Sequence, residues 1–215
     1  GRTRAKDWIT QLVQESEKGG TDRPIWAIDR GVNICRALSL PPAHLIGDRD
    51  SAAHDAWAWA EEHGARVHAF PPAKDFTDTE LALRIAAELM PSAFVILTGA
   101  FGGRFDHLMS AASVAAHAAL PCILADEREA LFFLHDDESL TITSDSPPQA
   151  ISLLPFTEEC TGITTNGLRW ELNHAQIHTH SSTTISNVLA EGNTEHRFSV
   201  ALGSGILGVY LCHKE

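Results

Sequence analysis

From the N-terminus to about Leu124, short apolar runs alternate with longer amphipathic stretches. The apolar runs predict β-strands at residues 25–28, 44–46, 66–70, 94–97 and 122–125. The Ala- and Leu-rich stretches between them predict helices at 52–63, 77–89 and 105–119, the second started by a capping box of Thr77 and Glu80. Strands alternating with helices are typical of βαβ units, so we expect an α/β N-terminal domain with a mostly parallel sheet.

After about Glu129 the pattern changes to short alternating or β-branched segments separated by Gly, Pro, Asn and Asp. These segments predict strands at 140–143, 151–154, 163–165, 176–179, 197–202 and 206–211. An all-β C-terminal domain is therefore expected. The polar residues 126–129 predict a hinge before it, which divides the chain into domains at 1–128 and 129–215.

Composition and charge narrow the class of protein. With 215 residues, 44% hydrophobic and 20% charged, the chain has enough apolar material for a folded core. Its formal charge of −12 repels phosphodiester backbones and argues against a nucleic-acid partner. The cysteines Cys35, Cys122, Cys160 and Cys212 lie far apart, which favours a reducing cytoplasm. The longest apolar run, 93–97, is far shorter than a membrane helix, so no membrane partner is expected.

Aspartates follow most of the predicted parallel strands at their carboxyl ends. They are Asp29, Asp48, Asp50, Asp75, Asp78 and Asp106, the last reached through the Gly-rich segment 99–103. Ligands of open α/β sheets bind beyond these strand ends, so we expect the acids to converge there. Clustered carboxylates repel one another unless a cation neutralises them, and Mg²⁺ takes carboxylate and phosphate oxygens. Lys74 and Arg104 in the same loops could bind phosphate, and the set predicts phosphoryl-group transfer.

Each aspartate also has a structural interpretation, because Asp after a strand is a common turn residue and helix N-cap. In the α/β half, neither the P-loop pattern nor G-x-G-x-x-G follows a predicted strand, which argues against a Walker-type ATPase and a Rossmann dehydrogenase. His174, His178 and His180 lie close together, but no Cys or carboxylate completes a tetrahedral zinc set, and a solvated β-surface is the better interpretation.

Three segments of the N-terminal half resemble motifs of the thiamine pyrophosphokinase family. GDRDS at 47–51, KDFTD at 74–78 and GGRFDH at 102–107 are similar, in order and spacing, to G-D-x-D-S, [KQ]-D-x-T-D and G-G-R-F-D-H. In the β-rich half, 159–170 resembles the family's thiamine-site segment, Ser186-Asn187 its S-N pair and 205–207 its terminal strand. The resemblance covers about Ala27 to the C-terminus.

This resemblance implies an α/β nucleotide-binding domain followed by an all-β sandwich that binds thiamine. It further implies a homodimer with thiamine bound between the α/β domain of one subunit and the sandwich of the other. The implied reaction transfers pyrophosphate from ATP to the thiamine hydroxyl with Mg²⁺, giving thiamine diphosphate and AMP.

The resemblance also assigns roles by position. Asp48, Asp50, Asp78 and Asp106 would hold metal and phosphates or orient the hydroxyl, the first three as metal ligands. The residues implied to bind ATP or thiamine are Asp29, Lys74, Thr77, Arg104, Thr164, Trp170, Ser186 and Asn187. Thiamine is a cation, so the face of Trp170 could hold it by cation–π and stacking contacts, although ordinary packing is the alternative.

The chain departs from the family in two places. Arg30 follows Asp29 where the family has a glycine, and it would either crowd or recruit a phosphate. The family's first strand and glycine-rich turn should precede the helix expected at 3–18; either they lie outside this chain or the nucleotide site is altered. Two other functions compete with the kinase: a non-catalytic thiamine or nucleotide sensor, and a haloacid dehalogenase-type phosphatase with Asp48-x-Asp50 as its acids.

Overall fold

The computed structural model describes residues 2–18, 23–47, 53–70 and 75–213. The chain divides into two compact units, Gly1–Ala93 and Phe94–Glu215. Asp48, Asp50 and Lys74, all named from the sequence as site residues, lie outside the described residues.

The first unit is built from alternating helices and parallel strands. Its elements are α1 (Arg2–Lys18), β1 (Trp26–Ile28), α2 (Gly31–Ala37), β2 (His44–Gly47), α3 (His54–Glu62), β3 (Arg66–Ala69) and α4 (Asp78–Leu89). The strands pair in the order β1-β2-β3, all parallel. Ala27, Leu45 and Val67 point to the same face of the sheet, where they pack with Val32 of α2 and Trp57 of α3.

The second unit begins with a βαβ segment and continues as antiparallel sheet. Its elements are β4 (Val95–Leu97), α5 (Phe105–Ala116), β5 (Cys122–Ala125), β6 (Glu129–Leu134), β7 (Ser139–Thr143), β8 (Ala150–Pro155), β9 (Glu159–Asn166), β10 (Ala175–His178), β11 (Arg197–Ala201) and β12 (Leu207–Cys212). One sheet has the order β4-β5-β6-β12-β8, and another has the order β10-β9-β11-β7. Buried residues of both sheets, including Leu153, Ile163, Phe198 and Val209, form one hydrophobic cluster.

The strands and helices predicted from hydrophobic spacing form close to the expected positions. Thr77 caps α4 as the capping box predicts, because its Oγ1 accepts a hydrogen bond from the backbone N of Glu80 at 3.2 Å. The helix expected at 105–119 ends earlier, at Ala116. The predicted parallel strands do not share one sheet: β4 pairs with β5, and β5 then pairs antiparallel with β6.

Residues 126–129, expected from their polar composition to form a hinge, make a tight hairpin turn between β5 and β6. The backbone N of Asp126 donates to the carbonyl of Glu129 at 2.9 Å. The side chain of Asp126 accepts hydrogen bonds from the backbone N of Arg128 and of Glu129, at 2.9 and 2.8 Å. The compact units separate near Ala93, and the division of the chain into domains at 128/129 stays a prediction.

Among the helices in the described part of the chain, none is long and apolar enough to cross a membrane.

Candidate active site

The carboxyl ends of β1 and β2 bring Asp29 against Gly47. Asp29 has a left-handed backbone with φ of 46°, and its N donates to the carbonyl of Ile46 at 2.9 Å. A Cβ placed on Gly47 would lie 2.4 Å from Asp29 Oδ1, so only glycine fits beneath this carboxylate. Asp29 is thus fixed at the strand end that continues in sequence to Asp48 and Asp50.

The N-terminus of α4 carries the next group of predicted site residues. Thr77 is the N-cap and is exposed, and half-buried Asp78 is the first residue of the helix. Free backbone N–H groups and the helix dipole make such an end favourable for anions. Beside it, the Arg84 guanidinium lies 4.3 Å from the ring centre of Phe76. Thr77 can therefore combine the two roles expected of it, helix cap and phosphate contact.

The Gly-rich segment after β4 is an open loop. Gly99 and Gly102 both have φ of 77°, a left-handed conformation that favours glycine. A Cβ on Gly99, Gly102 or Gly103 would meet nothing within 4 Å. A phosphate could therefore approach this backbone closely.

Arg104 and Asp106 form an ion pair where this loop enters α5. Arg104 Nε and Nη2 donate to the two carboxylate oxygens of Asp106 at 3.1 and 2.5 Å. The Arg104 hydrogen bond lowers the pKa of Asp106, further lowered by a bond from the backbone N of His107. Both side chains are largely exposed, so this pair contributes little to folding and leaves Arg104 accessible to a phosphate.

In the second unit, Asn187 holds the backbone of Trp170. Its Nδ2 donates to the Trp170 carbonyl at 2.8 Å, and its Oδ1 accepts from the Trp170 N at 3.3 Å. The residue Trp170 is 59% exposed, so its indole is presented to solvent rather than packed in the core. Of the alternative drawn from the sequence, core or interface packing, core packing is therefore wrong and interface packing stays open.

Ser186 and Thr164, also predicted to bind the substrate, make local contacts. Ser186 has φ of 62°, and its N donates to the buried Ser152 Oγ at 3.0 Å. Thr164 Oγ1 accepts from the His174 N at 3.2 Å. The structure thus brings Trp170 and Asn187 together, and Ser186 is hydrogen-bonded to β8 through Ser152.

Sequence analysis missed two residues that contribute to this region. Arg169 places its guanidinium 5.2 Å from the ring centre of Trp170, and an Arg beside a Trp was the available signal. Ser152 is buried in the apolar strand β8, where a lone polar residue indicates a specific hydrogen-bond partner.

The residues that the structure describes contain no group of three His, Cys, Asp or Glu side chains placed to hold a metal ion. Asp48 and Asp50, two of the three predicted metal ligands, are not among them. His178 and His180 stack with ring centres 5.2 Å apart, without forming such a group.

Two family models match most of the chain. The model described as thiamin pyrophosphokinase, catalytic domain, matches residues 20–123, and that described as thiamin pyrophosphokinase, vitamin B1 binding domain, matches residues 137–206. The chain belongs to the thiamine pyrophosphokinase family. The resemblance inferred from its motifs is confirmed, and the family match replaces the haloacid dehalogenase-type alternative.

Individual relatives agree with the family match. The thiamine pyrophosphokinase of Bacillus subtilis strain 168 is 29% identical over 190 residues, covering 86% of this chain and 87% of the relative. The crystal structure of the Bacillus subtilis thiamine pyrophosphokinase has a TM-score of 0.76 and 25% identity, with 92% of each chain covered. A thiamin pyrophosphokinase family protein from Enterococcus faecalis has a TM-score of 0.77 at 21% identity, covering 92% of this chain and 91% of that one. The mixed α/β fold, with parallel and antiparallel sheets, is therefore shared with the family.

Proposed function

We propose that this thiamine pyrophosphokinase family protein transfers the pyrophosphoryl group of ATP to the hydroxyl of thiamine, releasing AMP. The observation that carries the proposal is the exposed Trp170, held by Asn187 within the segment matched by the vitamin B1 binding model. Thiamine is a flat cation, and an exposed indole binds such a group by stacking and cation–π attraction.

In this proposal the acidic residues bind the metal and phosphates. Asp48, Asp50 and Asp78 are the proposed Mg²⁺ ligands, and Asp29 lies against the strand end that leads to the first two. Carboxylate oxygens are the donors that Mg²⁺ prefers, so the residue types fit this ion. Mg²⁺, when bound, would neutralise phosphate charge and align the phosphate oxygens.

The remaining residues orient the reacting groups. Lys74, Thr77 and Arg104 contact phosphate oxygens, Arg104 through the planar fork that now holds Asp106. Asp106 is ionised near neutral pH, as an aspartate ordinarily is, and Arg104 lowers its pKa further, so it can accept a hydrogen bond from the thiamine hydroxyl. Thr164 and Ser186 are the further proposed contacts to thiamine.

We assign the two substrates to different parts of the chain. The α/β part, residues 1–128, binds ATP, and residues 129–215 form an all-β sandwich that binds thiamine. The shared core of the two sheets supports the sandwich. All four cysteines are free thiols, which supports a location in a reducing compartment such as the cytoplasm.

We further propose a homodimer whose active site lies at the subunit interface. Large apolar side chains remain exposed on the second unit: Phe105 is 76% exposed, Met109 51% and Ile185 48%. Phe105 and Met109 lie one turn apart on α5, where burial against a second copy would remove them from water. Light scattering on the purified protein tests this assembly, and a monomer at micromolar concentration would contradict it.

The reaction itself is tested by incubating the protein with thiamine, ATP and Mg²⁺ and separating the products by chromatography. AMP with thiamine diphosphate supports pyrophosphoryl transfer. ADP with thiamine monophosphate would instead indicate an ordinary kinase. Bound thiamine without product would favour the sensor.

A further inference from the structure

Tyr210 is the only tyrosine of the chain. It lies on β12, and its side chain contacts Glu129, the first residue of β6. Its hydroxyl donates a hydrogen bond to Glu129 Oε1 at 2.5 Å, across the antiparallel pairing of β12 with β6. Burial raises the pKa of Tyr210, and the Glu129 carboxylate raises it further. The phenol therefore remains protonated and keeps donating throughout the physiological pH range.

Glu129 is itself held in place by the preceding turn. The Asp126 side chain accepts a hydrogen bond from the backbone N of Glu129 at 2.8 Å, and Glu129 is the first residue of β6. Its carboxylate is therefore fixed on a hairpin rather than on a mobile loop. The Tyr210 ring is oriented by a partner that has a defined position.

The other contact of this ring is with the 99–103 loop, the Gly-rich segment after β4 that a phosphate could approach. The rings of Tyr210 and Phe101 lie 6.4 Å apart, centre to centre, at an angle of 57°. Phe101 stands between Gly99 and Gly102, both of which have left-handed backbones and open space around them. Because glycine loses more conformational entropy than other residues, such a loop needs an anchor to stay ordered.

We propose that Tyr210, oriented by Glu129, is a positioning residue that anchors the 99–103 loop through Phe101. The loop in turn sets the position of Arg104 and Asp106, the residues that follow it in sequence. Tyr210 need not contact either substrate in this role. The inference rests on the proposed function only in that Arg104 and Asp106 act on the phosphates and the hydroxyl.

Kinetics of graded variants test this role. Phe101→Leu and Tyr210→Leu each remove the contact between the two aromatic rings. If the loss of this stabilising contact displaces the loop, kcat/KM for ATP should fall about 2- to 10-fold. The KM for thiamine should change less, because Trp170, the main proposed contact to thiamine, lies outside this loop. Tyr210→Phe and Glu129→Gln keep the ring of residue 210 and should lose less.

Phe133→Leu is the matched control, because Phe133 lies on β6, the strand of Glu129, but its ring pairs with that of Phe156, at 5.2 Å between ring centres. It should lower the melting temperature without changing kcat/KM for ATP. If Phe101→Leu and Tyr210→Leu behave like this control, Tyr210 is merely structural and the proposal is overturned.

A spectroscopic experiment tests the coupling separately from turnover. Protein labelled with ring-¹³C tyrosine gives one set of tyrosine signals, since Tyr210 is the only tyrosine. We expect these signals to shift when α,β-methylene ATP and Mg²⁺ are added to wild type, and to shift much less in Phe101→Leu. Equal shifts in both proteins would overturn the proposal. If wild type makes no thiamine diphosphate but the shifts differ as expected, the proposed reaction fails while the loop anchor stands.

Discussion

The Asp29 carboxylate lies directly against the backbone of Gly47, where a Cβ would be 2.4 Å from Oδ1. This contact joins the ends of two neighbouring parallel strands and ties the first acid of the candidate site to the GDRDS segment. A glycine is required here for two reasons, the close carboxylate and a φ of 149°.

Gly47→Ala should displace Asp29 and lower both stability and activity. Removing the carboxylate in the double variant Gly47→Ala/Asp29→Ala should relieve the clash and recover part of the melting temperature, but not the activity, since the strain of an alanine at φ of 149° remains. Gly31→Ala is the matched control, because nothing lies within 4 Å of a Cβ there. Thermal melts measure the stability of these variants, and steady-state kinetics measure their activity. A Gly47→Ala protein as stable and active as wild type would contradict the contact.

Asp78→Asn should abolish most turnover while leaving the fold intact. The N-cap Thr77 remains in place, and Asn is tolerated in the first turn of a helix. We expect kcat to fall roughly 10²- to 10³-fold, the scale of losing one electrostatic group from an active site. Circular dichroism checks the fold, and product chromatography checks the rate. Full activity in this variant would remove Asp78 from the site.

Asn187→Ala should weaken thiamine binding, because Trp170 would lose the side chain that holds its backbone. It removes two hydrogen bonds to the Trp170 backbone, each worth about 0.5–1.5 kcal/mol. The KM for thiamine should rise several-fold while the KM for ATP stays constant.

Asn193→Ala provides the control for that experiment. Asn193 makes the same kind of backbone clamp, donating to the carbonyls of Gly167 and Arg197 at 3.0 and 2.7 Å. Its loss should lower the melting temperature alone. Equal effects of the two variants on the KM for thiamine would show that Asn187 has no special relation to Trp170.

Acid should destabilise the protein through His44 and His68. Their imidazoles lie 2.8 Å apart, Nδ1 to Nε2, and Trp26 stacks on His44 at 4.0 Å. Burial lowers the pKa of both histidines; His68 lowers that of His44 further, and Arg66 acts on both. The pKa of each histidine in the folded protein lies below the ordinary value of about 6.5. The contribution of the two neutral imidazoles to folding stability is therefore complete above that pH and is lost as the pH falls through the pKa of the folded state.

Melting temperatures between pH 8 and pH 5 measure this effect. The fall in melting temperature on acidification should be smaller in His68→Gln, which leaves only one of the two paired imidazoles. An equal fall in the variant and in wild type would assign the acid sensitivity to other groups.

The order of elements could be predicted from sequence because it depends on local spacing. Apolar runs located β1 to β5, and the Thr77–Glu80 pair located the start of α4. The family could be predicted for a similar reason, since GDRDS, KDFTD and GGRFDH are contiguous segments whose residue types can be compared directly.

Contacts between distant segments could not be predicted in this way. The residues 126–129 have the polar composition of a hinge, but the pairing of β5 with β6 makes them a hairpin. Likewise, Tyr210 and Glu129 are 81 positions apart and meet only because β12 pairs with β6. Hydrophobic and polar periodicity states which face of a strand is buried, but it does not state which strand lies beside it.

The sequence by itself therefore determined the alternation of elements, the family and the residue types of the candidate site. The tertiary structure decided that Asn187 holds Trp170, that Asp29 requires Gly47 and that Tyr210 lies against Phe101 of the 99–103 loop. The physical reason is that each of these contacts depends on strand pairing and backbone direction across long stretches of chain, which no local pattern encodes.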